Sequence, residues 1–459
     1  MAETAQAPDE PQDDFELDPE LVADVLASVE ARDARRLHGL LDPLHAADVA
    51  DVLEQIPADE RIALLTLWSV EMDGDVLSEL DEGLREEVID ALEPEVLAGA
   101  VRDLDSDDVV DLVEDLEHPQ QAAVLDALEA ADRVAVEQAL SYPEDSAGRL
   151  MQREVVAAPD HWSVGQTIDY MRGRADLPTD FYHVILVDPK MRPVGYVTLG
   201  KVLGSPRATA MKDITEDSFR TIPVTQPEED VAYAFNQYHL ISAPVVDDDG
   251  RLVGVITIDD AMIVLDEGHE EDILRLAGVG EGSLSDSVRD TVRARVPWLF
   301  VNLVTAIIAS LVISIFDDEI AALVALAVVM PIIASMGGNA GTQSLTVAVR
   351  ALATRDLTPA NAGRIVRREL LVGALNGLLF ALIMGIVGAV WFTMPELGLV
   401  IALAMIINLI AAALAGVLVP VGLDRLGFDP ALASGTFVTT VTDVVGFFAF
   451  LGLATVMLL

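Results

Sequence analysis

Residues 431–459 read ALASGTFVTTVTDVVGFFAFLGLATVMLL. The stretch exceeds the roughly 20 apolar residues a membrane helix needs, yet it contains one ionisable group, Asp443. A carboxylate at the centre of such a helix costs about 2.5–3.5 kcal/mol on insertion scales, so it must face protein, water or an ion, and it marks a functional site. Thr436, Thr439 and Thr440 precede it by helical spacings, which puts their hydroxyls on the same stripe as the carboxylate. That stripe reads as one wall of a hydrophilic path.

Working upstream, four more apolar stretches are long enough to span: 296–316, 320–352, 370–394 and 397–423. Arg293 and Arg295 precede the first, Arg350, Arg355, Arg364, Arg367 and Arg368 separate the second from the third, and Arg425 follows the fourth, whereas the alternate loops have no Lys or Arg. By the positive-inside rule this predicts a multi-pass protein of the plasma (inner) membrane, with the N-terminus cytoplasmic and the C-terminus outside. The second span contains PIIASMGGNAGTQSLT (331–346), whose proline and glycines predict a kinked or unwound helix, tolerated only where it lines a cavity or is buried. Ser335, Asn339, Thr342 and Thr346 fall on one helical face that could meet Asp443; Gly337, Gly338 and Gly341 also suit close helix packing. Asn302, Asn376 and Asn408, one in each of three other spans, fit interhelical hydrogen bonding better than ligation.

Charge is divided as sharply as hydropathy. Of 76 acidic and 28 basic residues, 67 and 20 lie in the first 290, leaving a net charge near −47 there and near −1 in the remainder. Such a field repels nucleic acid and attracts cations, so metal ions and basic proteins are the expected partners and nucleic acid is not; adaptation to high salt would leave the same mark. The chain has no cysteine, which excludes disulfides and thiolate chemistry. The first residues have neither a basic region nor an apolar core and read as a disordered acidic tail.

Two internal repeats organise the soluble half. LHAADVADVLEQIPADERIALL (44–65) realigns on LDSDDVVDLVEDLEHPQQAAVL (104–125) at an offset of 60, with helical apolar spacing, which predicts a solenoid-like stack of short helices. HVILVDPKMRPVGYVTL (183–199) realigns on SAPVVDDDGRLVGVITI (242–258) at an offset of 59, each copy reading strand, turn, strand, helix. The second repeat resembles a tandem pair of CBS domains. The resemblance assigns Thr257 and Asp260, a T-x-x-D, to the ribose of an adenine nucleotide; the first copy has Thr198 and Lys201 instead, so at most half an adenosine site is expected.

Four further blocks carry a resemblance over essentially the whole chain: the 331–344 segment with MGGNAGTQS, RALATRD (350–356), DPA (429–431) and TTVTDVVG (439–446). Behind a CBS pair, they are similar to the MgtE family of magnesium transporters and channels. The resemblance implies a multidomain membrane protein with an acidic tail (1–14), an α-helical solenoid-like domain (15–140), α/β tandem CBS domains (141–262), a connecting helix and linker (263–290) and an all-α domain of five transmembrane helices (291–459). It further implies a homodimer in the lipid bilayer, with hydrated Mg²⁺ held on the two-fold axis by Asp443 together with Asn339, Thr342, Gln343, Thr346 and Thr439. Regulatory Mg²⁺ would bind Asp107, Asp111, Glu229, Asp260, Glu271 and Asp272 and hold the pore shut.

The residue chemistry suits that ion. Mg²⁺ takes oxygen ligands and surrenders water reluctantly, so one carboxylate among hydroxyls and amides fits an ion recognised with its waters. The spans have no His or Cys, which disfavours Zn²⁺ and Cu. No G-x-x-x-x-G-K-[ST] loop is present, so passive flow down the membrane potential is expected and no enzyme activity is. Two other readings stand beside it: a broader Co²⁺/Mn²⁺/Ni²⁺ carrier of the same fold, and a membrane-anchored signalling protein, which would leave the intramembrane polar stripes unexplained.

Overall fold

The computed structural model describes residues 17–68, 72–114, 116, 118–174, 177–178, 181–216, 219–279 and 288–459, so the tail assigned to 1–14 lies outside the described residues. The chain divides into two units, up to residue 266 and from 267 onward.

Among the described residues the first unit begins with ten short helices: α1 (Pro19–Glu30), α2 (Ala34–Leu41), α3 (Ala46–Gln55), α4 (Ala58–Trp68), α5 (Asp75–Ser78), α6 (Glu82–Ala91), α7 (Pro94–Asp103), α8 (Ser106–Glu114), α9 (His118–Ala127) and α10 (Ala130–Ala139). The 60-residue repeat is visible directly, since α3 and α4 recur as α8 and α9. Part of the acid surplus caps these helices: Asp18, Asp33 and Asp81 accept from the backbone amides of Glu20, Arg36 and Gly83, satisfying donors that a helix start leaves open. One apolar core runs through the stack, with Leu37, Leu53, Leu64, Leu77 and Leu112 fully buried.

Two small sheets follow. β1 (Ala157–Pro159), β2 (His183–Val187) and β3 (Pro193–Thr198) form one, with β1 parallel and β3 antiparallel to β2. β4 (Ile222–Pro223), β5 (Ser242–Val246) and β6 (Leu252–Thr257) repeat the pattern. Each has a helix between its first two strands, α11 (Val164–Gly173) or α13 (Glu228–Tyr238), and one after the third, α12 (Leu199–Gly204) or α14 (Ile258–Leu276). In both β-turns an aspartate folds the loop: Asp188 accepts from the amides of Lys190 and Arg192, and Asp247 from those of Asp249 and Arg251. The equivalent residues His183 and Ser242 meet, ring Nδ1 to Oγ; burial lowers the His183 pKa. The helix expected to begin near Ile263 begins at Ile258, as a continuation of the second copy.

The second unit holds the end of α14, then α15 (Val288–Ser314), α16 (Asp317–Ala322), α17 (Ala325–Ala353), α18 (Ala362–Trp391), α19 (Pro395–Arg425) and α20 (Pro430–Leu458). Among the described residues, five helices are long and apolar enough to cross a membrane. α19 is the hub, packed against α17, α18 and α20, while α15 lies on α20. The second span differs from expectation. Its chain breaks at Leu323–Val324, after the separate helix α16, and α17 then runs as one helix through Pro331 and the glycines. The glycines are there for proximity: a Cβ at Gly337 would lie 2.2 Å from Nδ2 of Asn408, and one at Gly341 would lie 2.6 Å from Cγ1 of Val438.

Candidate metal sites

Within the membrane unit, Asp443 is half-exposed on α20 and forms no hydrogen bond or ion pair among the described residues. The threonines beside it turn their protons into their own helix. Thr439 donates to the carbonyls of Gly435 and Thr436 at 3.0 Å, and Thr440 to that of Thr436 at 2.6 Å. The stripe on α17 behaves likewise. Thr342 donates to Gly338 O and Thr346 to Thr342 O, each at 3.0 Å, and Nδ2 of Asn339 lies 3.5 Å from Ser335 Oγ. Asn339, Thr342, Gln343 and Thr346 are all exposed. Because the hydroxyl protons point inward to carbonyls, what these threonines offer outward is oxygen lone pairs, the complement of the water protons around a hydrated cation.

α17 and α20 touch where Gly341 meets Val438 and Thr442, which places Asp443 and the α17 stripe on helices in contact; no hydrogen bond joins Asp443 to the stripe. Asn302 and Asn376 are exposed. Asn408 is buried and donates from Nδ2 to Ile333 O at 2.8 Å, the interhelical bond expected of it. One pairing was not foreseen: Ser344 Oγ donates to Oε2 of Glu369 at 2.9 Å, so the one acid of α18 faces α17.

The first unit contains an acidic seam at the start of α8. Asp107 is buried, and burial together with Asp260, Asp108 and Asp105 holds its carboxyl well above the usual range. Asp108 is pushed up to about 7 by burial and by Asp260, Asp105, Asp75 and Asp111, and Asp260 to about 6, chiefly by burial. Thr257 Oγ1 donates to Asp260 Oδ2 at 2.6 Å and fixes that carboxylate. Ionised together these groups repel, so the seam favours bound protons or a bound cation. Among the described residues, no three carboxylate or imidazole groups converge tightly enough to ligate one bare ion.

Of the regulatory residues expected from the sequence, the fold thus brings together Asp107 and Asp260. Asp111 is engaged elsewhere, accepting from Arg85 Nη1 at 2.7 Å. Glu229 is exposed in the first turn of α13. Glu271 pairs with Arg275, whose Nη1 also reaches Asp429 Oδ2 at 3.0 Å; Asp272 is half-buried on the same helix. Asp105 and Asp108 were missed, although the run Asp105-Ser-Asp-Asp108 was a signal that several acids share one helix start.

Thr257 of the T-x-x-D in the second repeat lines a shallow open cleft together with residues including His183, Ser242, Tyr182 and Val156. In the first repeat, Lys201 is held by Glu216 at 2.8 Å and Thr198 donates to the same carboxylate at 3.3 Å.

Comparison with known proteins follows this division. Residues 330–453 match a family described as divalent cation transporter, 44–145 match the MgtE intracellular N domain, and 147–206 and 211–267 each match the CBS domain. The chain is 35% identical to the magnesium transporter MgtE of Thermus thermophilus over 321 residues, covering 69% of this chain and 71% of that one. It is 28% identical to that of Bacillus subtilis over 439 residues, covering 95% and 97%. The crystal structure of the cytosolic domain of the Mg²⁺ channel MgtE in complex with ATP aligns with 27% identity and a TM-score of 0.49, over 53% of this chain and 99% of that one.

Proposed function

Because the chain belongs to the MgtE family of divalent cation transporters, we propose that it conducts Mg²⁺ passively into the cytoplasm, through a pore on the two-fold axis of a homodimer, and that cytoplasmic Mg²⁺ closes it. The observation that carries this reading is Asp443, the one charged residue of α20, which has no hydrogen bond or ion pair among the described residues. Facing its symmetry mate, it would hold a dication electrostatically while the waters remain in place. Asn339, Thr342, Gln343, Thr346 and Thr439 would accept hydrogen bonds from those waters. Arginine placement supports a cytoplasmic position for the acidic half. A membrane potential of about 100 mV then supplies about 4.6 kcal/mol for an entering dication, and no further energy source is needed.

Closure follows from linkage. A ligand shifts an equilibrium by its differential affinity for the two states. The seam of Asp107, Asp108 and Asp260 repels itself when ionised, so Mg²⁺, bound with its waters, would favour the compact arrangement. Asp111 and Glu271 would add carboxylates by exchanging their arginine partners for the ion, and Glu229 and Asp272 would add two more. Thr257 and Asp260 would also take the ribose of an adenine nucleotide, which makes Asp260 common to both ligands.

The test is Mg²⁺ uptake by proteoliposomes with Mg²⁺ varied on the face bearing the soluble half and Ca²⁺ or Co²⁺ as competitor. Uptake that persists in excess Ca²⁺ and falls as Mg²⁺ rises on that face supports the proposal. Equal Co²⁺ flux would replace it with a broader divalent carrier.

A further inference from the structure

The first two turns of α18 carry Arg364, Arg367 and Arg368, spaced so that all three lie on one face of the helix. All are exposed, and none forms an ion pair among the described residues. Arg36, Arg61, Arg85, Arg133, Arg149 and Arg275, by contrast, each pair with a carboxylate. The nearby acids are engaged: Glu369 accepts from Ser344, and Asp356 accepts from Thr354 at 2.9 Å.

The face continues as an apolar stripe. Leu371, Leu375, Leu378 and Leu382 are 56%, 67%, 58% and 64% exposed, on a helix whose principal partner is α19. Three guanidinium groups therefore stand at one end of a surface suited to acyl chains, at the level where a headgroup would lie. Guanidinium binds phosphate oxygens in bidentate fashion, and basic sites beside membrane helices on the cytoplasmic side recognise anionic headgroups.

We propose that this face binds an anionic phospholipid of the cytoplasmic leaflet, the phosphate on Arg364, Arg367 and Arg368 and the chains along the leucine stripe. The site is independent of ion conduction. It also differs from the diffuse positive charge that orients membrane proteins, because it depends on which arginines are present as well as on their number.

Purified full-length protein is titrated with phosphatidylglycerol or phosphatidylcholine, and bound lipids are counted by native mass spectrometry. The wild type is expected to favour phosphatidylglycerol by about tenfold or more, since each basic residue near the headgroups contributes measurably. R364Q/R367Q/R368Q should abolish the preference. R350Q/R425Q, which removes exposed charge from neighbouring helix ends, should leave it, and R364K/R367K/R368K should keep part of it. Size-exclusion profiles establish that each variant is folded, and the wild-type preference is measurable without any substitution. Equal binding of the two lipids by the wild type, or loss of preference in proportion to charge in both Gln variants, overturns the proposal. Displacement of phosphatidylglycerol by millimolar inorganic phosphate would also overturn it, by showing a site for free anions.

Discussion

Asn408 Nδ2 donates to the carbonyl oxygen of Ile333 at 2.8 Å, and the amide that makes this bond fits between Gly337 and Gly446. A Cβ at either glycine would fall 2.2 or 2.8 Å from that nitrogen. Gly337→Ala should therefore destabilise the membrane unit by about 1–3 kcal/mol, the usual cost of overpacking. The check is a double-mutant cycle by thermal unfolding in detergent. In an Asn408→Ala background the same Gly337→Ala change should cost clearly less, and additive losses would contradict the packing described.

Ser344→Ala leaves Glu369 without its donor at the α17–α18 contact. A loss of about 1–3 kcal/mol is expected for a buried polar group left unsatisfied, toward the low end because Glu369 is half-buried. Adding Glu369→Leu to Ser344→Ala should recover part of it. Thermal unfolding that ranks the double variant below Ser344→Ala would contradict this.

The seam predicts a pH dependence of unusual sign for carboxylates. Asp108 near 7 and Asp260 near 6, against an ordinary 3.8, mean that between about pH 4 and 7 the folded state binds protons that the unfolded state has released. Stability therefore falls as pH rises through that window, and the full penalty persists above it. Without Mg²⁺, the melting temperature of the soluble half should drop from pH 6 to 8. Millimolar Mg²⁺ should flatten the drop, and a melting temperature that rises over this range without Mg²⁺ would contradict the account.

Asp107 and Asp111 lie one helical turn apart but have different partners. Asp107→Asn should raise the cytoplasmic Mg²⁺ needed for half-closure, read from flux. Asp111→Asn should act mainly by loosening the buried Arg85, costing about 1 kcal/mol because Asp111 itself is exposed. Identical shifts in half-closure would show that the Arg85 contact is readily exchanged for the ion.

Periodicity made much of this architecture legible. The offsets of 60 and 59 residues foretold α3–α4 against α8–α9 and β2–β3 against β5–β6, because helix and strand spacing repeat whenever the fold does. β1 and β4 escaped notice because strands of three and two residues carry no period. Unwound backbone is not found in α17: glycine signals both broken backbone and close approach, and only the position of Asn408 and Val438 decides between them. For the same reason the partners of Glu271 and Asp111 were hidden: Arg275 and Arg85 are ordinary residues in sequence, and Asp429 lies 154 residues from the arginine it meets.

The central claim is that Asp443 holds the ion, and the direct measurement is Mg²⁺ flux into proteoliposomes for Asp443→Ala beside the wild type, with cross-linking to verify that both form the same dimer. Flux lost with the dimer intact is the predicted result. Flux retained at the wild-type level in the Asp443→Ala dimer would contradict the account.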